Sequence, residues 1–245
     1  MSHLTQPRRV ALITGASKGL GRTIAEFLAP QNYELIITAR HADVLKATSD
    51  ALMQLGGTTH VVVGDVADAN HRHELVSTVQ RIGRLDLLIN NASTLGATPM
   101  PTLANYPLSE LKGVFNINVV APVALIQVVL PVLKRNGGLV VNISSDAARG
   151  GYDTWGGYGA SKAALDLISL TLANELRDDG VGVISVDPGD MRTDMHQAAF
   201  ASEDISDRPL PEVTVPFWAW LFGQDVLAVS GQRFEAQAEQ WEVSL

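Results

Sequence analysis

The sequence predicts a single domain of the α/β class, in which a doubly wound parallel sheet carries helices on both faces. Three observations support this prediction. Short apolar runs alternate with longer segments of helical pattern along the chain. The runs are nearly continuous, as is typical of strands buried on both faces. Chemically unusual residues follow one strand after another, at the positions where parallel strands present their carboxyl ends.

The elements follow from these runs in order. Strands are predicted at residues 8–14, 33–38, 59–64, 85–90, 138–144 and 180–187. Helices are predicted near 19–30, 42–55, 68–82, 103–133 and 155–179. A further helix at 212–223 and a last strand at 230–237 complete the pattern. No repeat or linker interrupts it, so residues 1–245 are interpreted as one domain.

Composition narrows the class of protein. Apolar residues make up 46% and charged residues 18%, which allows a substantial core and argues against disorder. The net charge of −8 gives no broad attraction to phosphate backbones or anionic lipid, so no nucleic-acid or membrane partner is predicted. The chain has no cysteine, which excludes thiolate metal sites and is consistent with a cytoplasmic protein. No metal is predicted.

Neither export nor a membrane span is expected. Residues 1–15 contain no apolar segment of the kind found in signal peptides. The longest apolar stretch, 119–133, is interrupted by Pro122, Gln127 and Pro131. It is shorter than the roughly 20 residues that a span needs, so a buried helix is predicted there.

The first strand runs into the sequence TGASKGLG, residues 14–21. Gly15, Gly19 and Gly21 permit a tight turn and close backbone approach, and the following helix offers free N–H groups to a pyrophosphate. The motif therefore predicts a dinucleotide site, the alternative being a purely structural turn.

The residues at the end of the second strand indicate which dinucleotide the site prefers. Ala39 and Arg40 stand where NAD-selective sites place a carboxylate, and Lys18 lies in the glycine turn. Two cations would attract a 2′-phosphate. NADP(H) is therefore favoured over NAD(H), unless Arg40 is merely solvated and Lys18 is only a turn residue.

Tyr158 and Lys162 lie one helical turn apart among small residues, in GGYGASKAALD at 156–166. A tyrosine with its ordinary pKa of about 10 exchanges protons slowly near neutrality. An ammonium about 4 Å away, at an effective dielectric near 20, contributes about 4 kcal/mol, or about three pKa units. The spacing therefore predicts a tyrosine acid–base whose pKa the lysine lowers.

Together these motifs resemble the short-chain dehydrogenase/reductase family over almost the whole chain. Further elements strengthen the resemblance: GDV at 64–66, NNAS at 90–93 with Ser93 replacing the usual glycine, and DPGDMRTDM at 187–195. The resemblance implies a Rossmann-type sheet of seven strands in the order 3-2-1-4-5-6-7.

The resemblance also implies roles for particular residues. Tyr158 would be the general acid in reduction and the base in oxidation, Lys162 would also bind the ribose, Ser145 would donate to the substrate oxygen, and Asn118 would hold a water that relays protons. In the alternative, Ser145 bonds only to backbone and Asn118 only to a neighbouring strand. The implied cofactor-binding residues are Gly15, Ser17, Lys18, Gly19, Leu20, Gly21, Arg40, Asp65, Val66, Asn91, Ala92, Tyr158, Lys162, Pro188, Gly189, Met191 and Thr193.

A substrate pocket is expected beside this pair, with a substrate-side segment at about 189–223. Its predicted walls are mostly apolar: Leu95, Ser145, Ala147, Tyr152 and Trp155. The aromatic run at 217–222 is interpreted as core or as a subunit contact. The family resemblance implies a homodimer or homotetramer, although the ending SGQRFEAQAEQWEVSL departs from the D-G-G found in many members.

The predicted function is NADP(H)-dependent interconversion of a small carbonyl compound and its alcohol. Two alternatives remain open: an NAD-linked alcohol dehydrogenase of the same fold, and a non-catalytic dinucleotide-binding sensor or scaffold. The presence of Ser145, Tyr158 and Lys162 together favours an enzyme.

Overall fold

The computed structural model describes residues 8–243 and contains a seven-stranded parallel sheet in the order β3-β2-β1-β4-β5-β6-β7. The predicted fold class, strand number and strand order are confirmed. The strands are β1 Arg9–Thr14, β2 Tyr33–Ala39, β3 Thr58–Val63, β4 Leu87–Asn90, β5 Leu139–Ile143, β6 Gly182–Asp187 and β7 Arg233–Glu235.

Helices cover both faces of this sheet. They are α1 Gly19–Leu28, α2 Ala42–Gln54, α3 Ala69–Ile82, α4 Leu108–Phe115, α5 Ala121–Asn136, α6 Gly156–Glu175, α7 Asp194–Ala199, α8 Val215–Leu221 and α9 Val226–Val229. A π-helical turn, Asn116–Val120, joins α4 to α5. The helix predicted at 103–133 therefore begins later, after Pro107, and ends later, where Gly137 adopts a left-handed conformation.

Two hydrophobic cores lie between the sheet and its helices, one on each face of the sheet. Residues of α1, α2 and α8 pack on one face, and residues of α3, α5 and α6 pack on the other. Phe217 and Trp218 are completely buried in the first core, where the Trp218 indole N–H donates to Thr214 Oγ1 over 2.9 Å. The core interpretation of the aromatic run is therefore confirmed for these two residues.

Strand β3 does not have the burial predicted for it. Val61 and Val63 are each 41% exposed, whereas the sequence pattern predicted a strand buried on both faces. The reason is its position, because β3 is one of the two edge strands of the described sheet and has β2 as its one neighbour there. An apolar β-branched run does not distinguish an edge strand from a central one.

The helical stretch Leu108–Asn136 is longer than the apolar run that predicted it. By length and composition alone it could cross a membrane, and 44% of its most apolar window is buried inside the protein. Val129 and Leu133 pack in the second core, as in the core helix of a folded domain.

Two leucines on neighbouring helices are exposed in the single chain, Leu108 on α4 and Leu167 on α6. The predicted homo-oligomer stays a prediction.

Candidate active site

A cleft of about 390 Å³ lies beyond the carboxyl ends of the central strands. Fifteen of the predicted cofactor-binding residues line it: Gly15, Ser17, Lys18, Gly19, Leu20, Arg40, Asp65, Val66, Asn91, Ala92, Tyr158, Lys162, Pro188, Met191 and Thr193. Gly21 and Gly189 do not line this cleft. Neighbours that sequence reasoning had not assigned to the site include Thr38, His41, Ser93, Thr94 and Ser144.

The glycine turn is shaped by close backbone contacts. Gly15 and Gly19 have φ angles of +65° and +54°, in the left-handed region that favours glycine. A Cβ on Gly21 would lie 2.5 Å from the Gly15 carbonyl oxygen, so Gly21 serves packing behind the cleft. Asn91 Nδ2 donates to the carbonyls of Thr14 and Gly15, over 2.9 and 3.1 Å, which holds the turn against β4.

The two predicted cations differ in their surroundings. Arg40 is exposed at the cleft and has no hydrogen-bond or ion-pair partner within residues 8–243. Lys18 is already engaged, because its Nζ lies 2.6 Å from Asp194 Oδ2 at the start of α7. Of the two cations, Lys18 is thus held by a carboxylate and Arg40 faces the cleft unpaired among the described residues.

A buried histidine supports the turn after β3, and sequence reasoning missed it. His71 is 4% exposed, and its Nε2 lies 2.7 Å from Thr38 Oγ1. A Cβ on Gly64 would overlap the His71 ring, so the glycine preceding Asp65 permits this packing. Burial lowers the pKa of His71, which favours a neutral ring beneath the cleft.

Tyr158 is buried at the entry of α6, with its hydroxyl within hydrogen-bonding reach of Ser145 and Ser93. Burial raises the pKa of Tyr158 above that of an ordinary phenol, an effect that the two serine hydrogen bonds only partly oppose. The predicted lowering of this pKa is therefore wrong for the structure as it stands. Desolvation, which was expected to oppose the lysine charge, has the larger effect on the pKa of this phenol.

Lys162 is 2% exposed and donates its Nζ hydrogen bond to the Ile143 carbonyl over 2.7 Å. The ammonium lies 5.5 Å from the centroid of the Tyr158 ring, which places it over the same helix face as predicted. Burial lowers the pKa of Lys162 to about 8, while the charge of Asp166 acts in the opposite direction. The side chain is a cation at neutral pH.

Ser145 follows β5 and begins a short 3₁₀ turn, Asp146–Ala148. Its Oγ accepts from the Ala147 N–H over 3.2 Å and donates to Asp146 Oδ1 over 2.9 Å. The hydroxyl is therefore not bonded to backbone alone, since it caps the turn and also reaches Tyr158, and its contact with a substrate oxygen stays a prediction. The turn sets the direction in which Ser145 points.

The Asn118 side chain is buried in the π-helical turn and is hydrogen-bonded to four protein groups. Its Oδ1 accepts from Ser93 Oγ and Thr94 N, and its Nδ2 donates to the Thr94 carbonyl and to Ser161 Oγ, all within 2.9 to 3.1 Å. These bonds occupy the amide's two donors and both acceptor positions. The predicted water would therefore have to be held by the main chain of Asn118, while the side chain fixes the 93–94 loop against α6.

Ser93 is the residue that departs from the family's usual glycine, and the structure places it in the site. Its hydroxyl donates to Asn118 Oδ1 over 3.1 Å and lies within reach of the Tyr158 hydroxyl. The replacement of a glycine by serine in NNAS was the available signal, but the motif does not say where the side chain points.

A smaller cavity of about 110 Å³ opens on the other side of Tyr158. The predicted walls Leu95, Ser145 and Trp155 line it, whereas Ala147 and Tyr152 do not. Ala147 packs behind the wall against Leu95 and Tyr158, and Tyr152 is 51% exposed.

This smaller cavity is also more polar than predicted. Asp146, Asp187 and Asp190 contribute carboxylates, and His196 contributes an imidazole. Asp187 lies at the end of β6 and the other two lie in turns, so no apolar run or periodicity marked them as pocket residues.

The parallel sheet of this order, the glycine turn at its first strand and the buried Tyr158–Lys162 pair define a nicotinamide-dependent oxidoreductase. The family model described as short chain dehydrogenase matches residues 9–204. The chain belongs to the short-chain dehydrogenase/reductase family and is an NAD(P)-dependent oxidoreductase.

Several relatives show how far the similarity extends. The chain is 35% identical over 190 residues to the uncharacterized oxidoreductase YIR035C of Saccharomyces cerevisiae, covering 76% of this chain and 72% of that one. It is 31% identical over 240 residues to the uncharacterized oxidoreductase YciK of Escherichia coli, covering 94% and 92%. A Shigella flexneri structure in complex with NADP superposes with a TM-score of 0.87 at 30% identity, covering 94% and 97%.

Proposed function

We propose that the protein reduces a small carbonyl compound with NADPH, using Tyr158 as the proton donor. The observation that carries the proposal is that Tyr158 lines both cavities. Its hydroxyl lies beside Ser145 and Ser93. A carbonyl group bound in the smaller cavity would therefore lie next to the Tyr158 hydroxyl, its proton donor. It would also lie next to the cofactor cleft, because Tyr158 lines both cavities.

The larger cleft fits a dinucleotide by its donor set and shape. The N-terminus of α1 and the left-handed Gly15 and Gly19 would hold the phosphates. Asp65, Lys162 and Tyr158 line the same cleft and would contact other parts of the dinucleotide. The Shigella flexneri structure with NADP supports this occupant.

Bound NADPH supplies the hydride, and the side chains supply position and a proton. Ser145 would hold and polarise the carbonyl oxygen through a hydrogen bond, once its single O–H turns from Asp146 Oδ1 to the substrate. Tyr158 keeps its proton at neutral pH because burial raises its pKa, which is the state needed at the start of a reduction. Lys162 would stabilise the phenolate that forms when the proton leaves, since its ammonium lies 5.5 Å from the ring centroid.

Cofactor preference tests the first part of this proposal. Fluorescence titration of the purified protein should show tighter binding of NADPH than of NADH, because Arg40 is an exposed cation at the cleft, unpaired within residues 8–243. Arg40→Asp should move the preference toward NADH by about tenfold or more, since a favourable charge contact is replaced by repulsion of the 2′-phosphate.

Arg177→Asp is the matched control, because this arginine is exposed after α6 and does not line the cleft. It should leave the ratio of the two affinities unchanged. A wild-type preference for NADH would contradict the role of Arg40, and binding of neither dinucleotide would contradict the enzymatic proposal.

The pKa of Lys162 predicts that catalytic efficiency is lost at alkaline pH. Because burial places this pKa at about 8, the ammonium is present below that pH and is lost above it. The value of kcat/KM for carbonyl reduction should therefore fall as the pH rises through about 8, since this ratio reports ionisation in the free enzyme. In Lys162→Arg the guanidinium stays charged, so kcat/KM should no longer fall as the pH rises through about 8. A wild-type profile that is flat up to pH 9.5, within about a factor of two, would contradict the assignment.

A further inference from the structure

The C-terminal segment that departs from the family pattern lies against the substrate side of the site. The Ala236 N–H donates to the Asp187 carbonyl over 2.8 Å. Gln237 Nε2 donates to the carbonyls of Pro188 and Asp190, over 3.0 and 2.9 Å. The segment therefore holds the turn that leads from β6 into the wall of the smaller cavity.

Arg233, in β7 of the same segment, joins three elements of the active site. Its guanidinium is nearly buried, with 9% of the side chain exposed. Nε donates to Asp166 Oδ2 on α6 over 3.1 Å, and one terminal nitrogen donates both to Asp187 Oδ2 over 2.9 Å and to the Ser145 carbonyl over 3.0 Å. The ends of β5 and β6 and the helix that carries Tyr158 thus meet at one side chain.

We propose that Arg233 is a positioning residue, which holds the Ser145 main chain and the turn after Asp187 in register with Tyr158. The inference rests on the proposed function and adds to it a residue that contacts neither cavity. Asp187 completes the connection, because its other oxygen accepts from the Gly189 N–H over 3.0 Å. A displacement of the guanidinium would therefore displace the Ser145 main chain directly, and it would displace the wall of the smaller cavity through Asp187.

The shape of arginine suits this position. A planar guanidinium presents donors in several fixed directions, and here two of its nitrogens serve a helix carboxylate, a strand-end carboxylate and a main-chain carbonyl. The ammonium of lysine is a compact point charge on a flexible stem. The substitution Arg233→Lys would keep the charge between Asp166 and Asp187 without fixing all three elements together.

The test compares wild type with Arg233→Met and Arg233→Lys, using NADPH oxidation with a panel of small apolar ketones and aldehydes. We expect kcat to fall by about 10- to 100-fold in Arg233→Met, because misplacement by about 1 Å can lower a rate by about 100-fold. The Kd of NADPH should rise by a smaller factor than kcat falls, because Arg233 does not line the cofactor cleft and, of the turn it holds, Pro188 and Met191 do. Arg233→Lys should recover part of the loss.

Amide hydrogen exchange provides a second readout that needs no substrate. Peptides covering 143–148 and 186–191 should exchange faster in Arg233→Met, whereas β2 should be unchanged. Glu235→Gln is the matched control, since Glu235 lies 3.6 Å from the Arg233 guanidinium but is 67% exposed and lines neither cavity. Its kcat and exchange should equal those of wild type.

The outcomes separate the inference from the proposed function. A wild type that oxidises NADPH with no carbonyl of the panel overturns the proposed function and, with it, the positioning role. An active wild type with an unchanged kcat in folded Arg233→Met overturns the positioning role alone. If Arg233→Met does not fold, Arg233→Lys decides: full wild-type kcat in that variant, or loss of NADPH binding in parallel with kcat, contradicts the inference.

Discussion

Replacement of Tyr158 by phenylalanine should lower the turnover of a carbonyl substrate by about 10²- to 10⁴-fold, the usual contribution of a positioned acid–base group. The substitution removes only the hydroxyl that lies beside Ser145 and Ser93. The ring should keep its place, since its edge-to-face contact with Trp155, at 5.8 Å between centroids, involves no hydroxyl. NADPH affinity should therefore stay close to that of wild type.

The measurement is steady-state kcat together with NADPH affinity by titration. Tyr152→Phe is the matched control, because Tyr152 lies in the loop before α6, is 51% exposed and lines neither cavity. Its turnover should be unchanged. A Tyr158→Phe enzyme that retains a rate similar to that of Tyr152→Phe would remove Tyr158 from the chemical step.

The second large effect is expected from Lys162→Met. If the phenolate charge is treated as centred on the ring, 5.5 Å from the ammonium, an effective dielectric near 20 gives an interaction of about 3 kcal/mol, so loss of the ammonium should slow turnover at pH 7 by about 100-fold. Stability should change little. The lost hydrogen bond to the Ile143 carbonyl is offset by relief of a buried charge, whose cost is visible in the lowered pKa of Lys162.

Turnover and thermal unfolding of Lys162→Met are compared with those of Lys112→Met, which removes an exposed lysine on α4. The control should match wild type in both. A Lys162→Met protein that reacts at the wild-type rate would show that the cation does not stabilise the phenolate. A large fall in unfolding temperature would show that the buried ammonium is mainly structural.

Much of the fold and of the cofactor cleft follows from the sequence because the signals are local. Apolar runs of strand length, separated by helical segments, define the parallel sheet, and the glycine spacing defines the turn after β1. The one-turn spacing of Tyr158 and Lys162 places both on one helix face, as observed. Most predicted cofactor-binding residues line the cleft for the same reason, since they follow directly after strands.

The sequence by itself therefore determined the class of fold, the position of the dinucleotide cleft and the helix face that carries Tyr158 and Lys162. Only the tertiary structure decided the pKa values of the site residues and which charged side chains pair with one another. It set the direction of the Tyr158 pKa, paired Lys18 with Asp194, and brought Arg233 to the Ser145 carbonyl, across 88 positions of sequence. The physical reason is that spacing along a strand or helix is a local property, whereas desolvation and ion pairing depend on which distant elements pack around a side chain.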